Sequence, residues 1–347
     1  MPNLEKIVGN LYSVFTTFFS MKDIEKELQG EVQVAICGNS PKTGELHEAM
    51  NSLKTEEADE KKNLPPEVLR LCQYPPDSED MEFLKKCHVA VFVMKGDDLN
   101  IDILRELGKS LPHEEKKYLW FVDGAADEMR RDEVKDLFEE VSVEEIHWIH
   151  DEWKKLPSMV LTLVQEKGLA YAQKFSMLRD EMASRLIRNT ARQNASVSFF
   201  SSLPSNIPII GIIIGLIAVT GETLIITANQ VRLCLRIAGV YGHALDFYAR
   251  MAELWPVLAG GFGWRTLART LTGFIPGGGP LLKTAISYAG TITAGETARW
   301  YYRDGKKLTR EEIKALYDKE KSKILDSTNA FLHKLKDTDQ ENGGDSL

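Results

Sequence analysis

VQVAICGNSPKTGELHEAM, residues 32–50, runs from a short apolar segment through a Gly/Asn/Ser/Pro turn into a stretch of helical composition. Four more apolar segments follow at 68–74, 88–94, 118–123 and 145–150, and charged stretches of helical composition separate most of them. The segment at 88–94 is continuous and β-branched, which is typical of a strand buried on both faces. This alternation predicts an α/β domain whose parallel sheet is covered by helices on both sides.

Strand signals end near residue 165, and helical patterns occupy the rest of the chain. Apolar residues also recur at helical spacing from Leu4 to Phe19, which predicts one amphipathic N-terminal helix. Thr309 followed by Glu312 forms a capping box that predicts the start of a last helix. The sequence thus predicts four parts: an amphipathic helix at 1–29, an α/β domain at 30–165, a helical domain at 166–335 and a disordered tail at 336–347.

The turn after the first strand lies where a phosphate-binding loop would be found. Such a loop has the pattern GxxxxGK[ST], in which the lysine neutralises the phosphates and the hydroxyl holds magnesium. Gly38 occupies the first position, but Thr43 replaces the second glycine, Gly44 the lysine and Glu45 the hydroxyl residue. Because a carboxylate at that place repels a triphosphate, this degenerate loop, which also contains Lys42, is expected to bind no nucleotide cofactor.

Residues 31–165 resemble the Era-type branch of Ras-like GTPases, with each motif eroded. The family's Asp-x-x-Gly after the second strand is replaced by QYPP at 73–76, and its guanine-reading Asn-Lys-x-Asp by DGAA at 123–126. After the fifth strand, His150-Asp151 stands where Ser-Ala is usual. The resemblance implies a P-loop-like, Ras-like fold that has lost its phosphate, magnesium and guanine ligands, and hence a protein with no catalytic residues.

Residues 205–317 resemble the helical domain that often follows Era-type GTPase domains in bacteria and that is shared with the YcjF group of inner-membrane proteins. Gln-Val-Arg at 230–232, Ile-Ala-x-x-Tyr-Gly at 237–242 and a Pro-Gly-rich turn at 276–280 carry this resemblance. It implies a cytoplasmic protein that is peripheral to, or partly inserted in, the inner membrane. It implies no reaction.

The net charge of −8 is distributed unevenly along the chain. Residues 229–310 contain eleven Lys/Arg against four Asp/Glu, so this segment carries +7 and the remainder −15. Arginine pairs one helical turn apart are mildly unfavourable on an isolated helix, so acidic groups of the same protein or anionic lipid head groups should meet them. Nucleic acid is not expected, because the pairs adjoin very apolar runs. The basic residues predicted to contact a membrane or a partner are Arg232, Arg236, Arg265, Arg269, Lys283, Arg299 and Arg303.

The run at 207–228 is the most apolar part of the chain, and at ~1.5 Å per residue it would reach roughly 33 Å, enough to span a bilayer. Its single charge is Glu222, which follows Thr220-Gly221 in a pattern that predicts a helix restart. Two structures remain open: a buried hairpin of a helical bundle, or a membrane-inserted hairpin. In the second, Ile209, Ile213 and Leu216 would contact lipid. The N-terminal helix likewise either packs against the C-terminal helices or lies at a membrane interface.

The sequence as a whole favours a non-catalytic pseudo-GTPase that acts as a membrane-associated scaffold or interaction module. Its expected partners are an anionic membrane surface or another protein, including a second copy of the chain; no metal or other cofactor is expected. One alternative is an atypical NTPase in which Lys42 replaces the missing lysine, and another is a soluble, self-assembling interaction protein. Cys37, Cys72, Cys87 and Cys234 form no CxxC pair, which predicts buried free thiols and no zinc site.

Overall fold

The computed structural model describes residues 4–51, 64–111, 118–124, 128–140, 146–202, 221–254 and 280–342. Contacts divide the chain into two compact units. The sheet unit comprises residues 26–182, and the helical unit combines residues 1–25 with 183–347. The sheet unit extends beyond the boundary expected after residue 165, because residues 166–182 also belong to it.

The N-terminal segment forms two helices, α1 (Leu4–Phe18) and α2 (Met21–Leu28), so the prediction of one helix over 1–29 was wrong. Ser20 begins the second helix. Its hydroxyl accepts a hydrogen bond from the Lys22 N–H at 3.1 Å, and its carbonyl accepts one from the Asp23 N–H at 3.2 Å. A serine in this position caps a new helix, whereas apolar spacing alone continues unbroken across the interruption.

Five parallel strands form the sheet, and the predicted α/β fold is confirmed. The strands are β1 (Val34–Gly38), β2 (Leu69–Cys72), β3 (Val89–Lys95), β4 (Tyr118–Asp123) and β5 (Ile146–Trp148). Their order across the sheet is β2-β1-β3-β4-β5. The central strand β3 is buried from Val89 to Met94, as its continuous apolar sequence predicts.

Helices cover both faces of the sheet. They are α3 (Pro41–Asn51), α4 (Ser78–Lys86), α5 (Ile101–Ser110), α6 (Glu128–Glu140), α7 (Ile149–Glu152), α8 (Leu156–Val164) and α9 (Gly168–Lys174). On one face, α4, α5 and α6 enclose a core in which Phe92 stacks on Trp120 at 4.0 Å and Phe138 meets Trp120 edge-on at 5.6 Å. The helices α3 and α8 contact the strands β1 and β3 and do not contribute to that core.

Helices α8 and α9 belong to the sheet unit because their buried residues pack on it. Tyr171 of α9 is fully buried, and its hydroxyl donates a hydrogen bond to the carbonyl oxygen of Gln33, just before β1, at 3.2 Å. Gly30 lies so close to this helix that an added Cβ would sit 3.3 Å from the Ala170 Cβ. These contacts place the end of the sheet unit beyond the last strand.

The described part of the helical unit contains α1 and five helices that come after α9 in the sequence. They are α10 (Arg179–Phe200), α11 (Glu222–Val240), α12 (247–254), α13 (Pro280–Asp304) and α14 (Arg310–Asn342). The N-terminal α1 packs against α11. The Phe15 side chain is fully buried and lies 5.5 Å from the Phe247 ring, so the packed interpretation of this helix is confirmed.

Helix α11 carries the second part of the apolar run. It begins at Glu222, after Gly221, whose φ of +77° explains a glycine there, so the predicted start of a helix at this point is confirmed. Within the described ranges, α11 is the one helix long and apolar enough to cross a membrane by length and composition, and 56% of that stretch is buried inside the protein. A core helix of a soluble bundle has the same properties. The residues Ile209, Ile213 and Leu216 lie outside the described part of the chain.

The predicted capping box starts α14. The Glu312 N–H donates to the Thr309 hydroxyl at 3.2 Å, and the Thr309 N–H donates to the Glu312 carboxylate at 2.8 Å. The backbone of this helix continues to Asn342, so the prediction of a disordered tail does not hold for 336–342. Low hydrophobicity favoured disorder there, but Lys, Gln and Glu extend an existing helix at little cost.

We predict that Thr309→Ala lowers the free energy of unfolding by about 1 kcal/mol, because it removes the side chain that caps the first turn of α14. Urea unfolding followed by circular dichroism measures the loss. Lys314→Ala, an exposed change in the same helix, is the control and should alter stability by less than about 0.5 kcal/mol. Equal losses in the two variants would contradict a stabilising cap.

Candidate functional site

The strand order opens a crevice between β1 and β3. The chain leaves β1 toward one edge of the sheet and β3 toward the other, and doubly wound α/β proteins bind ligands at the carboxyl ends of the two strands where this reversal occurs. The residues after Gly38, the last of β1, lie at this place. The degenerate loop is therefore located where a ligand would be expected.

The segment interpreted as a loop is mostly helix. α3 begins at Pro41, only two residues after β1, so Lys42 through Glu45 lie in its first turns. Ser40 caps this helix: its hydroxyl accepts from the Lys42 N–H at 3.1 Å and its carbonyl from the Thr43 N–H at 3.0 Å. A loop that wraps a phosphate needs several residues between strand and helix. In this chain Ser40 is the N-cap and Pro41 the first helical residue, so the helix begins three residues after Gly38.

Gly38 is required for packing against β3. It pairs with Val93 in the register of the parallel strands, and an added Cβ would lie 1.9 Å from the Val93 carbonyl oxygen. Thr43, which is 5% exposed, fills the space beside it, with its hydroxyl 3.3 Å from the same oxygen. Both residues thus hold the start of α3 against the centre of the sheet.

Hydrogen bonds of the Asn39 and Ser40 side chains close the crevice. The Asn39 side chain accepts from the Lys95 N–H at 2.7 Å and donates to the Asp98 carbonyl oxygen at 3.3 Å. The Ser40 hydroxyl donates to Oδ2 of Asp123 at 2.7 Å. Residues following β1 are thereby tied to the carboxyl ends of β3 and β4. The start of α3, where a phosphate would be bound in a P-loop, faces a carboxylate of the protein itself.

Two lysines near the crevice are paired with carboxylates. Nζ of Lys42 lies 3.0 Å from Oε2 of Glu45, and Nζ of Lys95 lies 3.0 Å from Oδ2 of Asp98. The hydrogen bond that Lys95 donates to Asp98 raises the pKa of Lys95. Exposed pairs of this kind contribute about 0–1 kcal/mol, so the pair with Glu45 does not by itself prevent Lys42 from meeting a phosphate.

The positions of the other eroded motifs carry structural contacts. After β2, the Gln73 N–H donates to Oδ2 of the buried Asp80 at 2.6 Å, and Arg70 donates to Oδ1 at 2.8 Å, which links β2 to α4. Within β5, Nδ1 of His147 lies 2.6 Å from Oε2 of Glu152, which follows the strand, and this hydrogen bond lowers the pKa of Glu152. The side chains of His150 and Asp151 are outside the described set.

The four cysteines are buried free thiols, as predicted. Burial raises the pKa of Cys37 to about 12, with a smaller contribution from the charge of Asp80, and burial also raises the pKa of Cys234 to about 12. Thiols of this kind are unreactive at neutral pH. Across the described residues, no group of three His, Cys, Asp or Glu side chains could hold a metal ion.

The basic residues predicted to meet a membrane or partner have neighbours within the helical unit where the structure describes them. The Arg232 guanidinium lies 4.6 Å from the Phe19 ring centroid, Arg299 donates to Ser184 Oγ at 3.1 Å, and Lys283 pairs with Glu222. Arg303 forms hydrogen bonds with both carboxylate oxygens of Asp304, at 2.8–3.0 Å, and Arg236 is half-buried. The positions of Arg265 and Arg269 lie outside the described residues.

Among the described basic residues, Lys283 and Arg303 do not belong to one patch. Lys283 lies in the first turn of α13 and Arg303 in its last, and a 25-residue helix is about 37 Å long. Lys283 and Arg303 therefore lie at opposite ends of α13.

Sequence reasoning missed a set of buried amide and hydroxyl groups, here called the polar seam, formed by Asn194, Asn229, Gln230 and Thr291. Asn194 is fully buried; it donates to the Thr291 hydroxyl at 3.0 Å and accepts from Asn229 at 2.7 Å. Gln230 donates to the same hydroxyl at 3.3 Å. One signal was present in the sequence: polar or small residues recur at every fourth position of α13, at Lys283, Ser287, Thr291, Gly295 and Arg299.

No protein-family model and no curated protein matches this chain. The structure defines a class of fold: a doubly wound parallel α/β unit joined in one chain to a largely helical unit. A strand order of this kind is shared by proteins of many functions, so the function has to be argued from the crevice and from the helical unit.

Proposed function

We propose that this protein is a non-catalytic pseudo-GTPase that serves as a scaffold or interaction module at a membrane surface. In this proposal the sheet unit descends from an Era-type GTPase domain, and the helical unit corresponds to the YcjF-like domain that often accompanies it. The partner is an anionic membrane surface, with another protein as a further partner.

The closed crevice carries the first half of the proposal. The chain joins β1 to α3 in two residues and uses Asn39 and Ser40 to bind the ends of β3 and β4. A nucleoside triphosphate would have to break these hydrogen bonds, and its phosphates would meet the Asp123 carboxylate, which repels them. The structure thus offers a physical reason why such a domain would keep the fold and lose the ligand.

The atypical NTPase remains the alternative, because Lys42 is held only by an exposed pair with Glu45. No second observation favours it. The hydroxyl that would hold magnesium is absent from its motif position, where Glu45 stands.

The distribution of apolar and basic residues supports the second half of the proposal. Residues 203–220 contain no charged side chain, and residues 255–279 carry Arg265 and Arg269. Each Lys or Arg close to an anionic leaflet contributes about 1 kcal/mol of attraction, which is screened within roughly a Debye length. Apolar insertion adds attraction that does not depend on salt.

We therefore predict that the purified protein floats with anionic liposomes at low salt and that binding weakens but persists as salt rises. Changing Arg265 and Arg269 to Glu should remove most of the salt-sensitive part, a loss of about tenfold or more in partitioning. The matched control reverses Lys85 and Lys86, which are exposed on α4 of the sheet unit, and should leave binding unchanged. Absence of flotation at low salt would refute the membrane half of the proposal.

A further inference from the structure

Three helix ends meet at a polar group here called the Glu222 cluster, formed by Ser198, Ser201, Glu222 and Lys283. The Ser198 hydroxyl donates to Oε1 of Glu222 at 2.8 Å, and the Ser201 hydroxyl donates to Oε2 at 2.6 Å. Lys283 forms an ion pair with Oε2 of Glu222, and its Nζ also lies 3.1 Å from Ser201 Oγ. The cluster joins the end of α10 to the starts of α11 and α13.

The cluster neutralises its own charges. The side chains of Glu222 and Lys283 are only 17% and 24% exposed, and their charges are opposite. Both carboxylate oxygens are bonded, so neither needs water as its main partner. A carboxylate and an ammonium arranged in this way can approach a medium of low polarity at a much smaller cost than either alone.

Two leucines are exposed beside the cluster. Leu224 is 44% exposed and Leu281 is 38% exposed, and they lie in the first turns of α11 and α13. Phe199 and Phe200, half-buried at the end of α10, complete the apolar side chains of this end. We call Leu224 and Leu281 the leucine surface.

The chain itself indicates what covers the leucine surface. In the sequence, the uncharged residues 203–220 lie between α10 and α11, and residues 255–279 directly precede α13. The leucine surface is apolar, the ion pair beside it is neutral overall, and the adjoining run of the sequence is uncharged. Its partner should therefore be hydrocarbon and not a charged protein surface. A single exposed leucine on a protein surface is ordinary, but here two exposed leucines lie in the same helix turns as the ion pair of Glu222 and Lys283.

We propose that the leucine surface is the part of the helical unit that enters the boundary between lipid head groups and acyl chains, with the Glu222 cluster as its neutral base. This inference rests on the proposed membrane association. It assigns the lipid contact to the starts of α11 and α13. The competing location is the other end of α13, where Trp300 is 37% exposed and lies under Arg303 at 4.6 Å and Lys306 at 5.4 Å.

Site-specific fluorescence distinguishes the two ends. Cysteine is introduced singly as Leu224→Cys, Leu281→Cys, Trp300→Cys or Tyr248→Cys and labelled with an environment-sensitive dye. Tyr248 is 53% exposed on α12, and the four native cysteines are buried. On addition of phosphatidylcholine/phosphatidylglycerol vesicles, the emission from positions 224 and 281 should shift to the blue, and that from 300 and 248 should not. A shift confined to position 300 or 248, or at no position in a protein that floats, overturns this inference alone. A protein that does not float overturns the proposed membrane association as well.

A second measurement tests the leucines and the ion pair. Leu224→Glu combined with Leu281→Glu should weaken vesicle partitioning by about a hundredfold, since two exposed leucines proposed to enter the lipid are replaced by charges. Leu71→Glu, 47% exposed on β2, should have little effect. Glu222→Gln leaves the Lys283 ammonium unpaired, so the preference for anionic over neutral vesicles should rise several-fold. Equal loss with both vesicle types, with an unchanged circular dichroism spectrum, would contradict the role given to the cluster.

Discussion

Gly38→Ala should unfold the sheet unit. The new methyl group would lie 1.9 Å from the Val93 carbonyl oxygen, and the atom in the way is backbone at the centre of the sheet. Neither β1 nor β3 can move away without breaking its register, so we expect a loss of about 3–5 kcal/mol or more, enough to leave the variant insoluble or unfolded. The measurement is soluble yield and urea unfolding followed by tryptophan fluorescence.

Gly44→Ala is the matched control in the same motif. An added Cβ at Gly44 meets no atom within 4 Å, and the residue lies inside α3. Alanine should therefore raise the free energy of unfolding by about 0.5–1 kcal/mol through its better helix propensity. A destabilised Gly44→Ala variant, or a stable Gly38→Ala variant, would contradict the strand–helix junction described above.

Asn194→Asp should be the most damaging isosteric change in the helical unit. Asn194 is fully buried, and its NH₂ group donates to Thr291 while its oxygen accepts from Asn229. Aspartate keeps the shape, loses the donor and places a charge in the polar seam, at a cost of about 3 kcal/mol at neutral pH. Asn100→Asp, at the exposed N-cap of α5, is the matched control and should change stability little.

The pH dependence of this variant follows from the sign of its pKa shift. Burial disfavours the charged carboxylate, so the introduced group has a higher pKa in the folded state than in the unfolded chain. Its penalty is present above the folded pKa and disappears as pH falls to the unfolded value of about 3.9. The stability difference between Asn194→Asp and wild type should therefore shrink on acidification. A difference that is independent of pH would indicate that position 194 is solvated.

The sheet could be predicted from the sequence because each strand is a short apolar run with polar ends. The five predicted runs correspond to the five strands, and the burial of β3 follows from its continuous β-branched sequence. The capping box at Thr309 was equally local, and its two hydrogen bonds form as expected. Apolar runs and capping boxes can both be recognised from residues that are neighbours in the sequence.

The crevice was predicted less well because the prediction followed the phosphate-binding motif and did not consider the helix-capping signal in the same residues. Ser40-Pro41 is a local signal for an N-cap followed by a first helical residue, and it placed Lys42 through Glu45 in α3 instead of in a loop. The bond between Ser40 and Asp123 joins residues far apart in sequence and depends on the order of the strands. No local pattern could have indicated it.

The polar seam and the Glu222 cluster also depend on tertiary pairing. Asn194 and Thr291 come from different helices, and their polar character by itself suggested exposed positions. Lys283 was predicted to face a membrane or partner because of its charge, but the structure pairs it with Glu222. The charge pattern of a helix identifies its basic residues and does not identify their partners.

Titration of the full-length protein with GTP and Mg²⁺ in an isothermal calorimeter tests the central claim, that the crevice is closed to nucleotide. Circular dichroism of the same sample verifies the fold. We expect no saturable heat, with any dissociation constant weaker than about 1 mM. Saturable binding in the low micromolar range, about 1–10 μM, would show that the bonds of Asn39 and Ser40 open to admit a triphosphate and would contradict the assignment as a pseudo-GTPase.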